Sequence, residues 1–212
     1  MGSTRGAALW IVAAVGYLIL EAVAAASFAP GYSYARNYIS DLGLPSGTLV
    51  RGQVVESSRA YLMHAAFYLQ GGLFFLGALL LTGIPENRRA RIFLGSVIAN
   101  AVGNIVIGTV HSGKVHVAGA LLAIVGGNAA IWLGSAAIGL LARLPWYPRA
   151  SKLLAVLGLS CFVMLAINSL TTKTVLLPNG IWERGSVYSI TLWQLLTAVC
   201  VLIPSRRPAR PN

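Results

Sequence analysis

Charged residues are scarce in this sequence, and acidic residues are the scarcest. Only 10% of the 212 residues are charged, and 5 Asp and Glu stand against 16 Lys and Arg. A soluble domain of this length needs a far more charged surface. With 57% hydrophobic residues and a mean hydropathy of +0.74, the chain is predicted to be an all-α integral membrane protein, one domain over residues 1–212.

Cysteine is also rare, with only Cys161 and Cys200 in the chain. Each lies within an apolar run, and the rise per residue predicts depths about 8 Å apart, which disfavours a disulfide. Neither has a second cysteine or a histidine at metal-ligand spacing. The cysteines therefore indicate neither a metal site nor a redox compartment.

Long apolar runs alternate with short polar segments and predict a six-helix transmembrane bundle. A cleaved signal peptide is the alternative for the first run, but its length and the interruption by Glu21 favour a retained span. The longest loop follows this first span. The predicted spans cover residues 8–29, 60–82, 92–110, 115–141, 153–171 and 186–203.

Basic residues indicate the orientation of the predicted bundle. Most of the net charge of +11 lies in short clusters close to the spans, as at Arg88-Arg89 and Arg206-Arg207. Such clusters mark the cytoplasmic side, so both termini are expected there and the long first loop outside a cell membrane. The distribution does not favour nucleic acid. Membrane lipids are the expected partners, with a membrane-protein partner or a homo-oligomer as the alternative.

Several polar side chains interrupt the apolar runs. An amide or carboxylate in hydrocarbon needs a partner, so these side chains should point into the bundle. Two interpretations remain open: hydrogen bonds that join the helices, or a polar cavity for a headgroup or substrate. The residues are Glu21, Gln70, Asn100, Asn104, Asn128, Asn168 and Gln194.

All three histidines are predicted at the extracytoplasmic helix ends. His64, His111 and His116 would suffice to bind a catalytic zinc, and no other cofactor is expected. Because His111 and His116 are five residues apart, they lie about 140° apart on a continuous helix and converge only if His111 is in a turn. The alternatives are structural histidines, or His116 as a general acid–base or headgroup contact.

Ser40 and Asp41 in the long loop, and Glu183 and Arg184 before the sixth span, complete the candidate site. Asp41 suits a helix cap or a tight turn, and it could also meet His116 or Arg184. Because a carboxylate that orients an imidazole is a common catalytic arrangement, His116 and Asp41 are the candidate catalytic residues, with a structural contact as the alternative. The Glu183–Arg184 pair could contact Asp41 or Arg36. The candidate substrate-binding residues are Ser40, His64, His111, Glu183, Arg184, Asn104, Asn128 and Glu21.

Two stretches resemble a known family. They are Tyr38-Ile39-Ser40-Asp41-Leu42-Gly43, and Gly103-Asn104 with the later His116-Val117-Ala118-Gly119-Ala120. They are similar to the prokaryotic "domain of unknown function 998" family and, more distantly, to the DRAM/Sfk/Frag-type six-span proteins of eukaryotes. The resemblance implies a six-helix bundle whose first outer loop folds over the outer helix ends. It assigns no reaction, although the eukaryotic proteins are associated with lipid remodelling, lipid asymmetry and autophagy regulation.

Three functions are consistent with these features. The first is lipid handling, meaning headgroup binding, remodelling or transbilayer movement, through an extracytoplasmic polar site. The second is a membrane-embedded metal-dependent hydrolase that uses the three histidines. The third is a non-catalytic scaffold or partner subunit, in which the polar residues only join the helices.

Overall fold

Six long helices make up most of the structure, a computed structural model that describes residues 2–139, 141–142 and 144–203. All six are long and apolar enough to cross a membrane, so the chain is a multi-pass membrane protein. Arg143 and the predicted basic cluster of the C-terminal tail lie outside the described residues. The helices are α1 (Gly2–Ala26), α2 (Ala60–Thr82), α3 (Arg88–Thr109), α4 (Gly113–Ala137), α5 (Tyr147–Thr171) and α6 (Asn179–Leu202).

The predicted spans match these helices, with informative differences at their ends. Helix α1 stops at Ala26 rather than at residue 29, because Phe28 and Ala29 pair as a strand with residues of the first loop. Helix α4 stops at Ala137, short of the predicted residue 141. Helix α6 begins at Asn179 rather than at residue 186. Glu183 and Arg184 therefore belong to the first two turns of α6 and not to the preceding loop.

The long first loop folds into a small cap over one end of the bundle, called the loop end below. Strands β1 (Phe28–Ala29), β2 (Thr48–Val50) and β3 (Gln53–Ser57) form an antiparallel sheet in the order β1-β3-β2. A 3₁₀ helix (Ile39–Gly43) lies between β1 and β2. The hydroxyl of Ser57 donates to the carbonyl of Leu42 at 2.6 Å, which ties this 3₁₀ helix to β3.

Successive helices pack against one another, and α6 closes the bundle by packing on α1. Helix α6 also contacts α4, while α5 packs on α4 and α6 at the edge. Small residues permit the close approaches. A Cβ atom at Gly103 would lie 2.3 Å from the backbone nitrogen of Ala123 and 2.5 Å from the carbonyl oxygen of Gly119. Helices α3 and α4 are therefore in backbone contact.

Two apolar clusters fill the interior, one toward each end. The cluster away from the loop end contains Trp10, Phe74 and Trp193, and the indole of Trp10 donates to the carbonyl of Phe74 at 3.0 Å. The cluster at the loop end contains Ile39 and Leu42 of the 3₁₀ helix. The first loop is thus part of the packed core, and it fixes the loop end against the helices.

Candidate functional site

Arg184 is the centre of a buried polar cluster at the loop end, with 7% of its surface exposed. Its guanidinium donates to the backbone carbonyls of Tyr34 at 2.8 Å and Asn37 at 3.0 Å. It also donates to the hydroxyl of Tyr32 and lies over the Tyr34 ring. Burial raises the pKa of Tyr32, so this residue stays a neutral phenol. One arginine thus anchors the first loop onto α6.

Glu21 is the carboxylate partner of Arg184. Its Oε1 atom accepts from Arg184 at 3.0 Å and its Oε2 atom accepts from the hydroxyl of Tyr188 at 2.8 Å. The predicted pairing of Arg184 with Asp41 is wrong, because the early start of α6 brings Arg184 beside α1 instead. With Glu21 only 1% exposed, each buried charge depends on the other for its compensation.

Asp41 organises the first loop. Its carboxylate accepts from the backbone N–H of Tyr38 at 2.9 Å and from the Asn37 side chain at 3.2 Å, and it lies 3.8 Å from Arg51. Asp41 is the third residue of a capping box whose N-cap is Tyr38, so it caps the helix as predicted but is not itself the N-cap. The expected contact of Asp41 with His116 or Arg184 is wrong, since no hydrogen bond joins them within the described residues.

Glu183 connects α6 to the 3₁₀ helix. Its Oε2 atom accepts from the backbone N–H of Ile39 at 2.5 Å. Within the part of the chain that the structure describes, Glu183 forms no salt bridge with Arg36 or any other cation. The backbone N–H of Ile39 is therefore the hydrogen-bond donor to this carboxyl group among the described residues.

The histidines lie at the loop end but do not form one ligand set. His111 is in the turn between α3 and α4, and its ring stacks on that of His64 at 4.1 Å with an interplanar angle of 3°. His64 Nε2 bonds to the carbonyl of Gly43 and His116 Nδ1 to that of Val110, both at 2.7 Å. Among the described residues no group of three His, Cys, Asp or Glu could hold a metal ion. Burial, with a smaller contribution from His64, lowers the pKa of His111.

A cavity of about 50 Å³ lies inside the bundle and is called the polar cavity. Helices α1, α2, α3, α4 and α6 surround it, and Ile39 and Ser40 of the 3₁₀ helix form part of its wall. By its volume it has room for a few water molecules. Its polar lining consists of Tyr17, Ser40, Gln70, Asn100, Asn104, His116 and Glu183.

An apolar groove of about 770 Å³ runs along the lipid-facing side of α6, between α1 and α5. Leu157, Leu192 and Leu195 are among its lining residues, and Tyr34, Arg184 and Tyr188 line it toward the loop end. From Ile181 to Leu195 the groove follows about four turns of helix, or about 21 Å at the usual helical rise.

A second pocket lies at the loop end and is called the arginine pocket. It has a volume of about 410 Å³ and is lined by Arg36, Arg51, Thr174, Pro178 and Asn179. Residues that are neighbours in the chain line the two sites, since Ala35 lines the groove and Arg36 the pocket, and Ile181 of α6 lines the groove and Asn179 the pocket. The groove and the two arginines therefore lie near one another in the fold.

The structure divides the predicted site residues between several places. Ser40, Asn104, His116 and Glu183 meet in the polar cavity, whereas Glu21 and Arg184 form the buried ion pair. Asn128 instead joins helices, donating to the carbonyl of Ser186 at 3.0 Å. His64, His111 and Asp41 hold the turns of the loop end.

Sequence reasoning did not assign three cavity residues to the site. Gln70 and Asn100 were recognised as polar groups inside spans, and this alone would have justified adding them to the candidate site. Tyr17 gave no signal, because an aromatic residue in an apolar run is typical of any span. Nothing in the sequence distinguished Arg36 and Arg51 from other basic residues in the loops.

Comparison with known proteins gives a family for the chain but no close relative of known function or structure. No curated protein and no solved structure matches it. One protein family matches over residues 11–200, from α1 to the end of α6, which is most of the chain. The chain therefore belongs to the family described as "Protein of unknown function (DUF998)".

Proposed function

We propose that this membrane protein binds an anionic phospholipid, with an acyl chain in the groove along α6 and the phosphate in the arginine pocket. The observation that carries the proposal is that neighbouring residues of the first loop and of α6 line both sites. A phospholipid has the same order of properties, an apolar chain followed by an anionic group. The groove supplies the first environment and Arg36 with Arg51 the second.

The dimensions of the groove suit an acyl chain. Half of a typical hydrocarbon core is about 15 Å thick, so a groove of about 21 Å extends past the bilayer midplane. Its lining is almost entirely apolar. An acyl chain bound in this groove would pack against α1, α5 and α6 in place of the surrounding lipid.

The charges of the arginine pocket suit a phosphate. Arg51 is 46% exposed and lies 3.8 Å from Asp41, a distance at which the carboxylate neutralises it only weakly. Its guanidinium also donates to the backbone carbonyl of Arg36 at 2.8 Å, which holds the two arginines together. Arg36 has no salt bridge among the residues that the structure describes. Guanidinium groups are well matched to phosphate oxygens.

The proposal includes the orientation expected from the basic residues, with the loop end outside a cell membrane and both termini in the cytoplasm. The lipid would then come from the extracytoplasmic leaflet. The proposed headgroup site differs from the histidine-centred one expected from the sequence, because Arg36 and Arg51 line the pocket at the loop end whereas His116 lines the polar cavity.

Native mass spectrometry of the purified protein, released from detergent after incubation with defined lipids, tests this function. We expect phosphatidylglycerol to be retained in preference to phosphatidylcholine of the same chain length. Leu157→Trp fills the groove and should reduce retention of both lipids. Arg36→Gln should remove the preference for the anionic lipid while leaving chain binding intact.

Two matched variants control for general effects. Leu153 is an exposed residue on α5, one turn from Leu157 and outside the groove, so Leu153→Trp should not alter retention. Arg59 is an exposed arginine outside the pocket, so Arg59→Gln should keep the preference. Equal retention by wild-type protein and Leu157→Trp would refute the groove, and an unchanged preference in Arg36→Gln would refute the arginine pocket.

A further inference from the structure

We infer that the polar cavity is a binding site for a small ammonium-type cation, a second function beyond the lipid binding proposed above. The inference comes from counting which hydrogen-bonding atoms of the cavity wall are already used. Each amide of the wall and its imidazole already donate to protein oxygens, whereas several acceptors are left over. A cation that donates several hydrogen bonds complements such a wall.

The two asparagines of α3 have orientations that backbone carbonyls define. Asn100 Nδ2 donates to the carbonyl of Ala123 at 2.6 Å, and Asn104 Nδ2 donates to the carbonyl of Asn100 at 3.0 Å. A carbonyl can only accept, so the oxygen of Asn104 is left without a hydrogen bond among the described residues. Both side chains are at least nine-tenths buried.

Gln70 adds a second unused acceptor. Its Nε2 atom donates to Gln194 at 2.7 Å across the interface of α2 and α6. Its Oε1 atom is buried and has no hydrogen-bond partner among the residues that the structure describes. Gln70 is 5% exposed, so bulk water does not satisfy this oxygen, and a buried polar atom without a partner is costly.

His116 and Glu183 supply the remaining acceptors. His116 Nδ1 donates to the carbonyl of Val110 at 2.7 Å, which leaves the lone pair of Nε2 on the neutral ring. Glu183 uses Oε2 to accept from Ile39, while its Oε1 atom forms no hydrogen bond within the described residues. Both side chains line the cavity.

The charge of the cavity favours a monovalent cation. Glu183 carries the one carboxylate of the lining, and the neighbouring Arg184 is already paired with Glu21 at 3.0 Å. A carboxylate withdrawn from water without a counter-charge is unfavourable. One bound positive charge would neutralise Glu183 without disturbing that ion pair.

The chemistry of the acceptors favours ammonium over a metal ion. Hard cations such as calcium and magnesium take oxygen ligands, and this wall includes an imidazole nitrogen. Zinc needs three protein ligands or more, but only His116 and Glu183 in the lining are of the usual types. A volume of about 50 Å³ has room for an ion of the size of ammonium or methylammonium.

The test is selective stabilisation of the purified wild-type protein in detergent at neutral pH. Thermal unfolding is measured in chloride salts of ammonium, methylammonium, potassium, sodium and tetramethylammonium at equal ionic strength. We expect a saturable rise of the midpoint with the first two cations only, because the others donate no hydrogen bonds. Isothermal titration calorimetry with ammonium chloride then gives the dissociation constant.

Variants locate the site. Glu183→Gln keeps an oxygen for the Ile39 N–H but removes the charge, and it should weaken ammonium binding at least tenfold. Asn104→Leu should weaken ammonium binding to a similar extent, and it tests the site if Glu183→Gln does not fold. Glu56 is an exposed carboxylate of the first loop, so Glu56→Gln should bind as wild type does. Equal stabilisation by potassium and ammonium, no saturable effect, or unchanged affinity in Glu183→Gln would each overturn the inference.

Discussion

Removing Arg184 should be among the most destabilising single changes in the protein. Arg184→Met would leave Glu21, which is 1% exposed, with Tyr188 as its remaining hydrogen-bond donor. It would also leave the carbonyls of Tyr34 and Asn37 without their guanidinium donor. Breaking a buried ion pair on one side costs about 3–5 kcal/mol. We therefore expect the free energy of unfolding to fall by about 4 kcal/mol.

The second part of this prediction separates charge from packing. Glu21→Leu combined with Arg184→Met removes both charges, so no uncompensated ion remains in the bundle. Apolar replacement of a buried pair is often neutral, whereas each carbonyl left without a partner still costs about 1–3 kcal/mol. The double variant should therefore recover at least about 2 kcal/mol relative to Arg184→Met alone.

The free energy is measured in micelles by titration with a denaturing detergent. The reactivity of Cys161, which is 6% exposed in the folded protein, reports unfolding. Arg51→Met is the matched control, because Arg51 is 46% exposed and 3.8 Å from Asp41, and surface pairs contribute at most about 1 kcal/mol. The reasoning is refuted if Arg184→Met costs as little as this control, or if the double variant is no more stable than Arg184→Met.

Three further predictions follow from single features. Gly103→Ala should prevent stable folding, because its Cβ would lie 2.3 Å from a backbone nitrogen of α4, while Gly95→Ala on the same helix has open space and should keep the wild-type midpoint. The lowered pKa of His111 means that the folded state favours the neutral ring. The stability it contributes is complete above the unfolded-state pKa of about 6.5 and is lost as pH falls from there through the lowered folded-state pKa. Unfolding midpoints from pH 7.5 to 5 should therefore decline less in His111→Gln. For orientation, a membrane-impermeant thiol reagent applied to intact cells should label Glu56→Cys and not Glu86→Cys, and the reverse pattern would invert the topology.

Some local features of the loop end were predictable from the sequence. Ser40 and Asp41 before Gly43 indicated a capped turn, and the structure confirms that Asp41 bonds to the backbone of Tyr38 at 2.9 Å. This succeeded because a cap joins groups only three residues apart. The partners expected for Asp41 and Arg184 were wrong, because Arg184 pairs with Glu21 of α1 and Asp41 bonds within its own loop, and both contacts depend on how the helices and the loop pack.

For the histidines, too, the sequence predicted the location but not the contacts. Their common location at one end of the bundle followed from the span boundaries, and the structure confirms it. Whether they converge depended on the rotation of α2 against the turn between α3 and α4. That rotation stacks His64 on His111 and directs His116 to a backbone carbonyl. The expected lipid partner, orientation and oligomeric alternative stay predictions.

The sequence by itself determined the class of the protein. Runs of about twenty apolar residues leave few alternatives to transmembrane helices. The bilayer core offers no hydrogen-bond partners, so the backbone N–H and C=O groups must bond to one another, as they do in a helix. Tertiary structure decided which of its few polar groups meet. Glu21 and Arg184 are 163 residues apart and bond at 3.0 Å, and the cavity draws its wall from five helices. Such contacts depend on how the helices rotate and approach, which small residues such as Gly103 allow but no local pattern specifies.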